Sequence, residues 1–145
     1  MQPGEFLLYV KSFNKLYNQM IQTEADRHGL TLIEADILLF LYNNPQYDTA
    51  KDISSYRMLA KSGVSASVEN LMRLNLLDGA GDESDRRKIH LTLTGTAQEI
   101  AAGLKKAQEH FFSHLNRGIT EEERQTFSEV LTKMANNLTA SEPCV

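Results

Sequence analysis

The residues best equipped for chemistry lie in three places. His110 and His114 stand four apart beside Glu109, a spacing that puts both imidazoles on one helix face, and Glu24 or His28 are available to complete a zinc shell. No cysteine-rich or His-Glu-x-x-His cluster accompanies them, so they are expected to be ordinary surface residues, with no resident metal or cofactor. The single cysteine, Cys144, follows Pro143 at the C-terminus, away from any helix start that would acidify its thiol. One cysteine makes no internal disulfide, which fits a reducing, cytoplasmic setting. The third place is basic. Arg86, Arg87 and Lys88 follow Asp85 directly, and Lys61 and Arg73 bracket a stretch rich in small polar residues. Guanidinium and ammonium groups so placed suit phosphate. No phosphate loop, no Gly-x-Ser-x-Gly elbow and no joined nucleophile, base and orienting group is present, so an enzyme is not expected.

Charge tempers the phosphate reading. The 145-residue chain carries a net charge of −4, which is unfavourable for contact with a polyanion. Between Arg57 and Lys88, however, six basic residues face five acidic ones, and the acidic excess lies elsewhere. No apolar run is long enough for a membrane span, and the basic start of a secretory leader is missing. The length is that of one domain.

The elements that position these groups are legible from periodicity and caps. A first helix is expected from Glu5 to His28, with Phe6, Val10, Phe13, Tyr17, Met20 and Ile21 on one face and Gly29 as its stop. Thr31 and Glu34 form a capping box for a second helix whose apolar face carries Ile37, Leu38 and Leu41, ending at Asn43-Asn44-Pro45. A short third helix starts at Thr49 and is expected to bury Ile53 and Tyr56. The fourth, Lys61 to Leu74, turns Val64, Val68 and Leu71 inward and Ser62, Ser65, Ala66, Glu69, Asn70 and Arg73 outward. Small residues on the outer first turns let a backbone approach another surface closely.

The period then changes from helical to alternating. Leu76 to Gly81 and Lys88 to Leu93 are expected as two strands of a hairpin around the polar loop Asp82 to Arg87. Thr94 caps a long fifth helix with Ile100, Leu104, Phe111 and Leu115 on one face. Thr120 and Glu123 box the start of a sixth, which carries Phe127, Val130, Leu131, Met134 and Leu138. The fold class is therefore mostly α with a small β-hairpin, in a single domain.

Asp85-Arg86-Arg87, then Ile89, Leu91, Leu93 and Thr94, resembles the wing of the MarR family of winged helix-turn-helix transcriptional regulators. Lys61-Ser62-x-Val64-Ser65-x-x-Val68-x-x-Leu71 resembles one version of that family's recognition helix. The chain departs from the family at Ala97 and Asn75, where glycine is usual, and at Ala60, where serine or threonine often caps. The resemblance implies a DNA-binding core over about 30–95 and dimerisation helices over about 5–28 and 96–140. It further implies a homodimer on a pseudo-palindromic operator, a repressor relieved by a small-molecule effector. Recognition-helix contacts would fall to Lys61, Ser62, Ser65, Ala66, Glu69, Asn70 and Arg73, and wing contacts to Asp85, Arg86 and Arg87. Two other readings stand beside it: a metal-responsive regulator of the same family using His110 and His114, and a winged-helix module that binds protein instead of DNA.

Overall fold

The structure is a computed structural model that describes residues 1–139, so the expectation for Cys144 lies outside the described residues. In chain order the elements are α1 (Pro3–Asp26), α2 (Leu32–Asn43), α3 (Ala50–Arg57), α4 (Lys61–Arg73), β1 (Leu77–Gly81), β2 (Ile89–Leu93), α5 (Gly95–Leu115) and α6 (Glu121–Thr139). They form two compact units, Met1–Phe111 and a second beginning at Phe112. Among the described residues, no helix is long and apolar enough to cross a membrane.

The larger unit is organised around α2. Every residue from Glu34 to Leu41 is buried, so this helix meets protein on all sides and not on the single face expected for it. Its start is fixed locally. Thr31 Oγ1 accepts from the Glu34 amide at 3.2 Å, and the Glu34 carboxylate accepts from the Thr31 amide at 3.1 Å. Gly29, at φ +65°, and Leu30, whose amide donates to the Ala25 carbonyl, close α1 just before it. Thr49 and Asp52 repeat the box at α3.

Two carboxylates come inside with α2. Asp36 is 8% exposed, and Arg57 at the end of α3 meets it at 3.3 Å. Burial pushes the Asp36 carboxyl above its ordinary range, and the guanidinium beside it pulls the other way. This pair ties the two-turn α3 to the central helix. Ile53 is the buried residue of α3, as expected, but Tyr56 is not: it is 57% exposed. On so short a helix Ile53 takes the fully buried position, and the Tyr56 ring lies against Tyr47, with centroids 4.5 Å apart.

β1 and β2 pair antiparallel with Leu77 opposite Leu93 and Gly81 opposite Ile89. Leu77 and Leu91 face the core, while Ile89 is largely exposed. The free edge of β2 is tied down, because the Leu91 amide donates to the Asp48 carbonyl at 2.8 Å in the α2–α3 connection. Asn75, at φ +57°, makes the left-handed turn between α4 and β1. Thr94 caps α5 through the Ala97 amide, and α1 meets α5 through Phe13, Tyr17 and Phe111.

In the second unit, Thr120 and Glu123 form the expected box at the start of α6. The stripe of α6 is uncovered: Phe127 is 64% and Leu138 76% exposed.

Replacing Arg57 with alanine should strand the buried Asp36 carboxylate and lower stability at neutral pH by about 1–2 kcal/mol, reduced from a fully buried pair because the guanidinium is partly exposed. An acid whose folded pKa is raised binds more protons folded than unfolded, so its ionisation costs stability as pH rises. The deficit of Arg57→Ala should therefore shrink on acidification. Urea unfolding at neutral and mildly acidic pH checks this; an equal deficit at both would show that Asp36 does not feel Arg57.

Candidate nucleic-acid interface

The outward face of α4 is set by its inward one. Val64, Val68 and Leu71 are buried, which turns Lys61, Ser62, Ser65, Ala66, Glu69 and Arg73 to the surface. Ala60 precedes the helix in extended conformation and supplies no side-chain cap. The first-turn amides of α4 therefore point out of the helix start with no hydroxyl or carboxylate of the cap residue on them, beside the serines and Lys61. An uncapped, locally non-acidic helix start is a favourable place for phosphate.

Asn70 is placed differently from its surface neighbours. It is half-buried, and its Nδ2 donates to Glu34 Oε1 at 2.6 Å, while its Oδ1 accepts from the Arg73 guanidinium. Glu34 is 5% exposed and also serves the α2 capping box, so one carboxylate locks α4 against α2. In this arrangement the Asn70 amide is engaged within the protein.

The hairpin tip is knotted by Asp82. Its Oδ2 accepts from the Ser84 amide at 3.0 Å, the Ser84 hydroxyl at 2.8 Å and the Asp85 amide at 2.9 Å. Its Oδ1 lies 2.7 Å from His90 Nε2. Those donors, His90 foremost, hold the Asp82 carboxyl far below the usual carboxylate range. Asp85 accepts from the Arg87 amide at 2.9 Å and meets the Arg87 Nε at 3.6 Å, a single long contact and not a paired fork. The Arg87 side chain is 94% exposed, and Arg86 and Lys88 are exposed beside it. Among the described residues, no carboxylate pairs with Arg86.

His110 and His114 are both exposed on α5, and Glu24 is within 3.6 Å of Arg27 and 3.8 Å of His28. Among the described residues, no group of three or more histidine, cysteine, aspartate or glutamate side chains is placed to hold a metal.

A short helix, a left-handed turn at Met58, an exposed helix and a basic hairpin follow one another as in a helix-turn-helix with a wing. Residues 28–88 match the model of the MarR family. Over that segment the chain is similar to a MarR-family winged helix. Solved MarR-family structures share its fold over nearly the whole length. A MarR-family transcriptional regulator from Silicibacter pomeroyi is 22% identical, with a TM-score of 0.78, covering 93% of this chain and 90% of that one. A putative MarR-family regulator from Listeria monocytogenes, solved in complex with a 26mer DNA, is 16% identical, with a TM-score of 0.82, covering 91% and 87%. MepR of S. aureus, solved in a DNA-binding conformation, is 22% identical, with a TM-score of 0.80, covering 95% of this chain and all of that one. No curated protein matches the sequence.

Within this winged helix, three residues that hold the hairpin are not singled out by the sequence: Asp48, Asp82 and His90. In sequence Asp82 only opens the polar loop of the expected hairpin, and His90 only falls within its second strand. A histidine in a strand eight residues after an aspartate at a hairpin tip is a usable signal. Asp48, 42 residues from His90, leaves none.

Replacing Asn70 with alanine should remove a donor from a buried carboxylate and lower stability by about 1–2 kcal/mol. Asn70→Asp should cost more, because it sets a second acidic group against Glu34. Urea denaturation checks both; parental stability in Asn70→Ala would show that water replaces the amide.

Proposed function

We propose that this protein is a sequence-specific DNA-binding transcriptional regulator, a homodimer in which α4 enters the major groove and the hairpin reaches the adjacent minor groove. The observation that carries it is the joint exposure of an uncapped α4 start, with Lys61, Ser62, Ser65 and Ala66, and a rigidly knotted tip carrying Arg86, Arg87 and Lys88. Small side chains permit close approach of α4 to base edges, and Ser62 and Ser65 donate to bases or phosphates. Exposed guanidinium groups suit the negative potential of a minor groove. Glu69 and Arg73 lie further along the same face, where they border the backbone. Asn70, held by Glu34, contributes by fixing the pose of α4. Asp85 contributes through the Arg87 amide, shaping the tip. The Listeria protein bound to DNA and MepR in its DNA-binding conformation support the same use of the fold.

Dimerisation is supported by two uncovered apolar surfaces, each within its own unit. On α1, Leu7, Leu8 and Tyr9 are 57%, 61% and 62% exposed, and α6 bares its stripe from Phe127 to Leu138. Such surfaces are costly on a free chain and mark helices that pack against a partner copy. Two copies would set two α4 helices about one DNA turn, ~34 Å, apart on a pseudo-palindrome. Repression relieved by a small molecule is the finest part of the proposal. A polar cleft of about 170 Å³ in the larger unit, lined by Tyr17, Asp36, Asn43, Arg57 and Gln108, offers an effector the guanidinium that anchors α3.

Selection of duplexes from a random pool should yield a pseudo-palindromic site. On that site Arg86→Ala or Arg87→Ala should cost ~1–3 kcal/mol and reduce the salt slope by about one unit, on random duplex as well. Ser65→Ala should instead change the preferred bases with a smaller effect on the slope. Folded arginine variants that bind as the parent does would make the wing a bystander. Folded parent protein that selects no duplex would favour a winged-helix module that binds protein.

A further inference from the structure

His90 sits within β2, opposite Ala80 in the register, and its ring reaches in two directions. Nδ1 lies 2.8 Å from Asp48 Oδ1 in the α2–α3 connection, and Nε2 lies 2.7 Å from Asp82 Oδ1 at the base of the wing tip. A neutral imidazole has one N–H and one lone pair, so between two carboxylates it satisfies one and turns a lone pair toward the other. Only the imidazolium donates to both. Both separations are those of direct hydrogen bonds, and the two nitrogens face different carboxylates, which leaves no shared position for a metal ion. Asp82 is also the residue whose second oxygen gathers Ser84 and Asp85 into the tip. The ring therefore links the element that carries Arg86 and Arg87 to the connection just before α3.

We propose that His90, in its doubly protonated form, is a positioning residue that clamps the wing tip to the α2–α3 connection, and that loss of its proton loosens the wing and weakens DNA binding. The proposal rests on the DNA-binding reading above. Asp48, from the α2–α3 connection, and Asp82, from the hairpin, are the charged groups that face the ring. Among the described residues, no lysine or arginine forms an ion pair with either. The hydrogen bond to Asp48, then that to Asp82, raises the imidazole above its ordinary value of 6.5, against a smaller opposing effect of burial. A base whose folded pKa is raised gives its full contribution below the ordinary value and loses it as pH climbs through the raised one. The clamp is thus closed in acid and opens on the alkaline side of that raised value.

Two measurements on the full chain test it. The first is an NMR titration of the imidazole groups without DNA, with His90 assigned by comparison with His90→Gln. The His90 midpoint should lie above its ordinary value, and Asp48→Asn, which keeps the side chain's size, should lower it. A midpoint at or below the ordinary value overturns the clamp. The second is affinity for a random-sequence duplex at constant ionic strength, from about pH 6 to about pH 9. The parent should lose about three- to tenfold more affinity across that range than His90→Gln, a loss bounded by what the wing contributes. Asp48→Asn should show its loss at lower pH than the parent. A raised midpoint with binding curves that superimpose for parent and His90→Gln would overturn the coupling to DNA. A parent that binds no duplex at any pH would overturn that coupling together with the DNA-binding reading, and the imidazole titration alone then supports or overturns the clamp.

Discussion

The burial of α2 on every side is the constraint from which the rest of the larger unit follows. A helix with eight consecutive residues inside cannot choose a polar face, so Glu34 and Asp36 are carried into the interior with Ile37 and Leu38. Each must then find a donor, because an unmatched buried carboxylate costs more than any apolar contact nearby returns. Asn70 answers Glu34 from α4, and Arg57 answers Asp36 from α3. The helix-turn-helix is thereby held by directional bonds as well as by Val64, Val68 and Leu71. Apolar packing alone tolerates small slides; a hydrogen bond of 2.6 Å to a fixed carboxylate does not. The exposed face of α4 inherits that precision.

The same economy makes the proposed polyanionic partner compatible with an acidic chain. Of the acidic residues near the tip, Asp82 is turned inward against His90, Ser84 and the Asp85 amide, and Asp85 is occupied by the Arg87 amide. With His90 protonated, the cluster of Asp48, His90 and Asp82 carries one net negative charge where two carboxylates alone would carry two. The basic groups remain outside: Arg87 extends into solvent at 94% exposure, next to Arg86 and Lys88. Net charge is thus a poor guide here, because the sign of the surface that faces a ligand depends on which charges the fold consumes.

What could be read from the sequence was what is local. The capping boxes expected at Thr31 and Thr120 involve residues three apart, and both form; the helix start expected at Thr49 forms too, boxed with Asp52. The switch from helical to alternating period located the hairpin, and Gly29 the end of the first helix. The three inward residues of α4 were correct because a short amphipathic helix declares its face. The run Ile37 to Leu41 does not, since a continuous apolar stretch fits any face equally, and its burial on every side was unreadable. Tyr56 failed because periodicity gives a direction but not how much core lies in that direction. The ties that fix the interface join residues 36 and 42 apart, Glu34 to Asn70 and Asp48 to His90, and no spacing rule reaches so far. Asn70, read as an outward residue of α4, acquires an inward role only once Glu34 is seen to be buried.

The most direct test of the account is amide hydrogen exchange of the whole protein with and without a saturating duplex taken from a selected pool. Binding as described predicts slowed exchange over the first turns of α4, from Lys61 to Ala66, and over the tip from Glu83 to Lys88. The interior of α2 should exchange slowly in both states. Protection confined to α6, or no change at α4 and the tip under saturating duplex, would contradict the assignment of α4 and the wing as the DNA-binding surface.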